Sequence, residues 1–456
     1  MSYPDLMFDA ETALTIAVEK GNLAIVELLL EKGANVNHQN EHGDTALMIA
    51  VEKVNLAIVE LLLKKGANVK LLIEEGDYVN HQNKHGDTAL MIAVEKGNLA
   101  IVELLLEKGA NVNHQNHICN TALMIAVEKG NLAIVKLLLE KGANVNHQNY
   151  ICDTALMIAV FKGNFEIVEL LLEKGANVNH QNKNNKTALI IAIIKNNLKI
   201  VNLLLENGAN VNHQNKNNKT ALMIAAIKNN LEIVKLLLKK GAGLEYEDDY
   251  GDTALMIVTK KCNFVIVKLL LENGANVNHQ NIYDCETALM IAVRNNNLEI
   301  TNLLLENGAC IEYQGNDGET VLMIAVRENK LEIVKFLLEN GANVNHQNNY
   351  NQTALIIAVL KGNFEITNLL LEKDAGIEYQ DMYGYTALMI ATENDKFETV
   401  KLLLEKGAIV NHQDNNNQTA LTIAVFKGNL EITNLLLEKG ANVNCQNNYN
   451  QRVSNT

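Results

Sequence analysis

The chain has 456 residues, a formal net charge of −14, 48% hydrophobic residues, six cysteines, one proline and no tryptophan. This acidic balance argues against general binding to nucleic acid or to anionic membranes, and six cysteines in so long a chain argue against a disulfide scaffold. We find no apolar run of membrane-spanning length and no classical secretory signal peptide. We therefore expect an intracellular protein, in the cytoplasm of its own cell or of a host cell.

One stretch of sequence, Thr121 to Asn149, recurs along almost the whole chain as TALMIAVEKGNLAIVKLLLEKGANVNHQN or a close variant. We number the repeats 1 to 13 by their opening threonines, which are Thr12, Thr45, Thr88, Thr121, Thr154, Thr187, Thr220, Thr253, Thr287, Thr320, Thr353, Thr386 and Thr419. Their spacing is 33 residues in all but two intervals. A fixed period of this length predicts stacked supersecondary units rather than one globular core.

Each repeat carries the signals of two short helices. In repeat 4, Thr121 is a good N-cap for a helix over 122–129, and Gly130 supplies the left-handed residue that ends it. Asn131 caps a second helix over 132–141, whose apolar residues cover more than one face and so need neighbours on both sides. The polar, Asn-rich tail that follows is typical of an extended turn.

Two places interrupt the regular pattern. In repeat 2, Val54 stands where other repeats have a turn-tolerant residue, and a β-branched residue is poorly suited to positive φ. An insertion at 69–78 follows, which we expect to form an extra helical turn or a loop and to weaken the coupling between repeats 2 and 3. A half turn at 441–456 follows repeat 13. We expect thirteen helix pairs in a single array over 1–456.

The repeat resembles the ankyrin repeat. The resemblance rests on TAL at 121–123, Ala126, Gly130, the run LLLEKGANVN at 137–146 and the length of 33, and it covers about residues 5–450. The family prefers Pro after the Thr and His after the Leu, whereas this chain has Ala or Val and then Met, Ile or Thr. The resemblance implies an all-α solenoid of helix-turn-helix units with hairpin-like turns between repeats.

The same resemblance implies a non-enzymatic scaffold that binds a partner protein on the concave face of the stack. The alternative is a structural spacer, or a fragment of a larger effector with no binding activity of its own. We find no nucleophile elbow, P-loop, HExxH, CxxC pair or kinase motif set, so we predict no enzymatic activity. The resemblance also implies that the Asn of each Val-Asn pair, such as Asn113, Asn146 or Asn179, is a candidate for hydroxylation.

Histidines share one position in nine repeats, which raises the question of a metal site. They are His38, His81, His114, His147, His180, His213, His279, His346 and His412. Neighbouring helical layers lie roughly 8–10 Å apart, whereas zinc ligands lie about 2 Å from one ion. We therefore predict a structural role for these histidines, with no metal and no cofactor. The layer spacing also argues against a disulfide between Cys119 and Cys152.

The positions that vary among repeats indicate where a partner binds. They are the tips of the turns, where many of the tyrosines lie, and the residue seven after each threonine, both of which the resemblance places on the concave face. That seventh residue is acidic in repeats 1 to 4, apolar at Phe161, Ile194 and Ile227, and basic in repeats 8 to 10. All twelve tyrosines lie outside the predicted helices.

We predict the main protein-binding surface around Phe161, Ile194 and Ile227, unless these side chains pack within the stack. An apolar row with a basic rim on an acidic protein suits a partner segment that carries Leu or Phe among Asp or Glu. The other candidate residues around this row are Tyr150, Ile151, Lys183, Lys186, Lys216 and Lys219. A second candidate surface contains Tyr350, Leu360, Tyr383, Tyr385 and Phe426. We expect the protein to act as a monomer on a protein partner.

Overall fold

The computed structural model describes residues 12–66 and 77–444 of the chain. The chain divides into two compact units, Met1–Ala242 and Gly243–Thr456. Regular structure in the described residues consists of 26 α-helices and one short 3-10 helix, with no β-strand. Residues 69–76 of the predicted insertion and residues 445–456 of the predicted half turn lie outside the described residues.

The first unit contains fourteen of these helices. They are α1 (Ala13–Glu19), α2 (Leu23–Glu31), α3 (Ala46–Glu52), α4 (Leu56–Gly66), α5 (Ala89–Lys96), α6 (Leu99–Glu107), α7 (Ala122–Lys129), α8 (Leu132–Glu140), α9 (Ala155–Lys162), α10 (Phe165–Glu173), α11 (Ala188–Ile194), α12 (Leu198–Glu206), α13 (Ala221–Ile227) and α14 (Leu231–Lys239). The 3-10 helix Asp77–Asn80 lies between α4 and α5.

The second unit contains the other twelve helices. They are α15 (Ala254–Lys260), α16 (Phe264–Glu272), α17 (Ala288–Arg294), α18 (Leu298–Glu306), α19 (Val321–Arg327), α20 (Leu331–Glu339), α21 (Ala354–Lys361), α22 (Phe364–Glu372), α23 (Ala387–Glu393), α24 (Phe397–Glu405), α25 (Ala420–Lys427) and α26 (Leu430–Glu438).

The helices form thirteen pairs in the described residues, as the period predicts. Each odd-numbered first helix packs on the second helix that follows it, and within each unit consecutive first helices pack side by side, as do most consecutive second helices. The core is shared between layers, because Leu123 and Val127 of α7 and Ile134 and Leu138 of α8 are at most 1% exposed. Burying one such side chain contributes about 1.5–3 kcal/mol. The single array over both units stays a prediction.

The predicted caps are confirmed in repeat 4. The Thr121 hydroxyl accepts a hydrogen bond from the Met124 amide at 3.4 Å, which satisfies a free N–H of the first turn. Gly130 ends α7 at φ +73°, in the left-handed region. The Asn131 side chain then accepts from the Ile134 amide at 3.2 Å and begins α8. Short local signals therefore set both helices of the repeat.

The turns between repeats are joined to one another through the backbone. The Tyr150 amide donates to the Ile118 carbonyl at 3.2 Å, and the Lys183 amide donates to the Ile151 carbonyl at 3.1 Å. In the second unit the Met382 amide donates to a carbonyl of the preceding turn at 3.0 Å. Isolated antiparallel bridges within three turns, such as that between Gln148 and Thr154, give them hairpin character. These bonds hold the tips of neighbouring turns in a fixed register.

Six of the nine repeated histidines have the predicted structural role, each with Nε2 within 3.1 Å of a carbonyl oxygen in the preceding turn. The Nε2 of His147 lies 3.1 Å from the Cys119 carbonyl, and that of His180 lies 2.9 Å from the Cys152 carbonyl, in each case in the preceding turn. A carbonyl only accepts hydrogen bonds, so Nε2 carries the proton in these imidazoles. His279 makes the same bond to Gly251 at 2.9 Å in the second unit. Each of these histidines therefore links two repeats.

The Asn of the Val-Asn pair also links neighbouring repeats. Asn113 accepts from the Asn144 amide at 2.7 Å and donates to the Gly142 carbonyl at 3.2 Å. Asn146 repeats both bonds one repeat further along, to Asn177 and Gly175. These amides are thus part of the joints between repeats, which is where the predicted hydroxylation would act.

Backbone and helix contacts are present at the join between repeats 2 and 3, where the weakened coupling stays a prediction. Although ten extra residues separate the two repeats, the Lys84 amide donates to the His42 carbonyl at 2.9 Å, and α3 packs on α5. The expected extra helical turn at 71–73 falls outside the described residues. Tyr78 lies in the 3-10 helix, which corrects the prediction that all tyrosines avoid helices, and burial raises the pKa of its hydroxyl above the ordinary 10.0. The register of the repeats therefore continues past the insertion.

Val54 adopts the conformation that its position in the repeat demands, at φ +56°. This left-handed region costs an L-residue about 1–2 kcal/mol, and a β-branched side chain is especially unsuited to it. We therefore expect the backbone amides of residues 1–68 to exchange hydrogen faster than those of residues 121–182, because local opening removes this strain. Hydrogen exchange measured by mass spectrometry on the full chain tests this, and equal protection in the two regions would contradict it.

Candidate binding surface

The three predicted apolar residues lie at the ends of three adjacent first helices. Phe161 is near the end of α9, and Ile194 and Ile227 are the last residues of α11 and α13. The helix α11 packs against both of the others. Phe161 is 55% exposed, whereas the two isoleucines are half-buried. The alternative that the row packs within the stack thus applies in part to the isoleucines and not to Phe161.

Two lysines lie over aromatic rings beside this row. The ammonium of Lys195 is 3.6 Å from the centroid of the Phe161 ring, and that of Lys183 is 5.9 Å from the centroid of the Tyr150 ring. Such cation–π contacts are worth about 0.5–1 kcal/mol at exposed sites. Ile151 lies beside Tyr150 on the same turn and is 37% exposed. Aromatic and basic side chains therefore meet here across repeats 5 and 6.

The contact between Phe161 and Lys195 continues a series of ion pairs along repeats 1 to 5. Each glutamate at the seventh position pairs with a lysine of the next repeat. The pairs are Glu19–Lys53 at 3.6 Å, Glu52–Lys96 at 3.4 Å, Glu95–Lys129 at 3.1 Å and Glu128–Lys162 at 3.3 Å. The acidic residues of this face are thus partly neutralised, and the ring of Phe161 occupies the place of the next glutamate.

The basic residues of repeats 8 to 10 are also paired, which sequence reasoning missed. Lys260 contacts the buried carboxylate of Asp252 at 2.5 Å, and Arg294 contacts Glu286 at 2.5 Å. Arg327 pairs in the same way with the buried Glu319. The signal was present in the sequence, because each pair joins the residue before the threonine to the seventh residue after it. These cations are therefore part of the fold and do not form a free basic patch.

Lys186 and Lys219 occupy that same position before the threonine in repeats 6 and 7, and both are half-buried. The seventh residue of each repeat is then an isoleucine, so the opposite-charge pair is replaced by a lysine and an aliphatic side chain. Lys216 lies at the tip of a turn and is exposed, and its amide donates to the Asn184 carbonyl at 3.2 Å. The four predicted lysines therefore differ in accessibility, with Lys183 and Lys216 the most exposed.

A comparison with protein families supplies the identification. The family model described as ankyrin repeats (3 copies) matches residues 3–71, 67–149, 149–215, 207–281, 289–382 and 355–447. The chain belongs to the ankyrin repeat family. A search of curated proteins finds no match to it. Ankyrin repeats are generally protein–protein interaction modules, and the family is typically non-enzymatic.

The second candidate surface is spread over several ankyrin repeats of the second unit. Tyr350 is 44% exposed and Tyr383 is 62% exposed on adjacent turns, whereas Tyr385 is half-buried and its hydroxyl donates to Gln418 at 3.4 Å. Leu360 is 41% exposed and Phe426 is 86% exposed, but the repeat between them carries a glutamate at that position. The structure thus places Tyr350 and Tyr383 on neighbouring turns, whereas Leu360 and Phe426 are separated by one repeat.

Several exposed apolar turn tips lie outside the two predicted surfaces. Tyr250 and Tyr283 lie on adjacent turns with ring centroids 6.0 Å apart, and each is more than 60% exposed. Ile282 beside them is 63% exposed, and Ile118 of the first unit is 50% exposed. Ile118, Tyr250 and Tyr283 lie three or four residues before a threonine, which is the position that the sequence marks as a variable turn tip. The turns of both units thus present apolar side chains to solvent.

The described parts of the chain contain no group of three or more His, Cys, Asp or Glu side chains that could hold a metal ion. Cys119 and Cys152, at φ +57° and +60° in adjacent turns, are free thiols. None of the helices within 12–66 and 77–444 is both long enough and apolar enough to cross a membrane.

Proposed function

We propose that this ankyrin-repeat chain is a non-enzymatic scaffold that binds a segment of a partner protein on the first-helix face of repeats 5 to 7. We define this face by Phe161, Ile194 and Ile227, and we identify it with the concave face implied by the family resemblance. The observation that carries the proposal is the exposed ring of Phe161, which stands where the four preceding repeats have a paired glutamate. If this position served only to connect two repeats, we would expect the Glu–Lys ion pair of the preceding repeats to continue here.

The chemistry of the surroundings suggests the kind of segment that binds. The apolar row is flanked by Tyr150 and Ile151 and by the exposed lysines Lys183 and Lys216. A partner segment with Leu or Phe among Asp or Glu would bury its apolar side chains on the row and place its carboxylates near the lysines. The apolar contacts would provide most of the affinity, and the lysines mainly the association rate and its salt dependence.

We expect the double variant Phe161→Ala with Ile194→Ala to lose capture of the main partner. Truncation of an interface anchor typically costs 2 kcal/mol or more, which is about thirtyfold in Kd for each side chain. Helical content should stay unchanged, because one side chain is exposed and the other is half-buried. The measurement is a quantitative pull-down from lysate beside circular dichroism of both proteins.

The matched control replaces residues at the same repeat position in the second unit, Leu360→Ala with Phe426→Ala. This control should retain every partner. If instead the control loses the partner and the Phe161 variant keeps it, the interface lies on the second candidate surface. If the unchanged protein captures no partner in a saturable way, the spacer alternative is favoured and the proposal fails.

A further inference from the structure

A groove crosses the second helices of repeats 5 to 7, on side chains distinct from the first-helix row. It has a volume of about 550 Å³ and is shallow and open to solvent. Its floor is apolar and comes from three successive helices, with Phe165 on α10, Leu198 on α12 and Leu236 on α14. Leu198 is 41% exposed, and the other two side chains are half-buried. We call this site the outer groove.

The rim of the outer groove is basic, with lysines at two positions where most repeats have another residue. Its lining includes Lys199, Lys235 and Lys239, with Glu232 and Asn202. Lys239 ends α14, whereas a glutamate ends every other described second helix except α4. Lys199 is the second residue of α12, where the other repeats have Ala, Glu or Val. Two separate substitutions within the repeat pattern thus place positive charge around one apolar floor, in a chain whose formal charge is −14.

These ammonium groups are available to a ligand. Lys235 pairs with Glu232 at 3.1 Å, but both side chains are more than half exposed, at 51% and 65%. A pair of that exposure is worth about 0–1 kcal/mol, so an incoming carboxylate can compete for the lysine. Lys199 and Lys239 are exposed and take part in none of the ion pairs found among the described residues.

The spacing of the floor favours a helical ligand. Phe165 and Leu198 are equivalent residues on neighbouring helices, and packed helices lie about 8–10 Å apart. Residues seven apart on one face of an α-helix are separated by about 10.5 Å, at 1.5 Å per residue. A helix lying across α10 and α12 can therefore place two anchors of an i, i+7 pattern over Phe165 and Leu198, which is the helix-in-groove mode of recognition.

We propose that the outer groove docks an acidic amphipathic helix of a partner protein. Leu or Phe side chains one heptad apart rest on Phe165 and Leu198, and a further apolar side chain contacts Leu236, which lies five residues beyond the first residue of α14. Asp or Glu side chains beside them face Lys199, Lys235 and Lys239. The site is separate from the first-helix face, so the chain can hold two segments at once on repeats 5 to 7.

The test uses the full chain and a labelled synthetic helix of 18 residues as the probe, with Leu at the a and d positions and Glu elsewhere. Fluorescence anisotropy should show saturable binding that weakens as salt rises from about 50 mM to about 300 mM. Lys199→Glu with Lys239→Glu should weaken binding at least about tenfold, and the affinity should no longer fall as salt rises. Leu198→Ser should weaken it by about tenfold with the salt dependence retained.

The chain offers a matched control in Leu298→Ser. Leu298 begins α18 as Leu198 begins α12, the two are 42% and 41% exposed, and a glutamate follows Leu298 in place of the lysine. This variant should bind the probe as the unchanged protein does. Phe161→Ala with Ile194→Ala removes any binding of the probe to the first-helix face, so the binding that remains in this variant and is weakened by adding Leu198→Ser belongs to the outer groove. Thermal unfolding followed by circular dichroism checks that each variant is folded.

Several outcomes would overturn the proposal. One is equal binding of a probe in which Lys replaces every Glu, and another is unchanged affinity in the double charge reversal. Loss of binding in the Phe161 variant would show that the probe binds to the first-helix face instead of the outer groove. A dimer in sedimentation experiments that Leu198→Ser dissociates would show that the groove is covered by a second copy of the chain instead.

Discussion

Replacing Arg327 by methionine lowers the local free energy of unfolding around α19 and α20 by about 2–3 kcal/mol, because it leaves the Glu319 carboxylate buried without its partner. The Glu319 side chain is 7% exposed and that of Arg327 is 35% exposed, so water replaces the lost cation only in part. Hydrogen exchange of the backbone amides in the two helices measures the loss. A local measurement suits a repeat array, in which distant repeats contribute separately to stability.

Removing both charges together separates this effect from lost packing. Glu319→Gln with Arg327→Met should lie within about 1 kcal/mol of the unchanged protein, because no unpaired buried charge remains. Lys335→Met in the same repeat is the control, since its pair with Glu332 is exposed at 43% and 73%. It should change stability by no more than about 0.5 kcal/mol. If Arg327→Met also has no effect, the pair is not a stabilising element of the repeat.

Exchanging glycine and valine at the ends of first helices should shift local stability in opposite directions. Gly97 lies at φ +75°, and a Cβ there would meet only the Asn131 side chain at an ordinary 3.6 Å. The cost of Gly97→Val is therefore backbone strain of about 2 kcal/mol. Val54→Gly at the equivalent position should stabilise its repeat by about 1 kcal/mol, since it releases the strain at φ +56°.

The measurement is again hydrogen exchange, in α5 and α6 for the first variant and in α3 and α4 for the second. Gly97→Asn is the control, because asparagine tolerates this conformation and adopts it at Asn196 and Asn229, at φ +59° and +57°. It should cost much less than Gly97→Val. Equal losses for the two substitutions would show that the space beside Gly97, rather than its φ, limits the side chain.

The helix pairs could be predicted from the sequence because their signals are local. Thr121, Gly130 and Asn131 act within a few residues of themselves, so the start and end of α7 and the start of α8 follow from the residue types. The structural histidines could be predicted because metal geometry excluded the other reading. Their carbonyl partners in the preceding turn could not, since that contact depends on how one turn lies on the next.

The ion pairs between side chains were not predicted from the sequence. Glu319 and Arg327 are eight residues apart, and only the return of the turn toward the end of the first helix brings them together. Glu95 and Lys129 are 34 residues apart and meet through the stacking of two repeats. Because each position of the sequence was considered separately, these residues were interpreted as variable surface positions. The outer groove was missed for the same reason, because its floor belongs to three helices.

The joints between repeats also bear on how such a gene changes its copy number. Asn113 bonds to the amide 31 residues ahead and to the carbonyl 29 residues ahead, and Asn146 does the same. Recombination that removes 121–153 would join repeat 3 to repeat 5. Asn177 and Gly175 would then replace Asn144 and Gly142 as partners of Asn113, and Lys162 would replace Lys129 as the partner of Glu95. An in-phase loss or gain of 33 residues therefore recreates these bonds at the new junction, whereas an out-of-phase event puts other residues in the places of the partners.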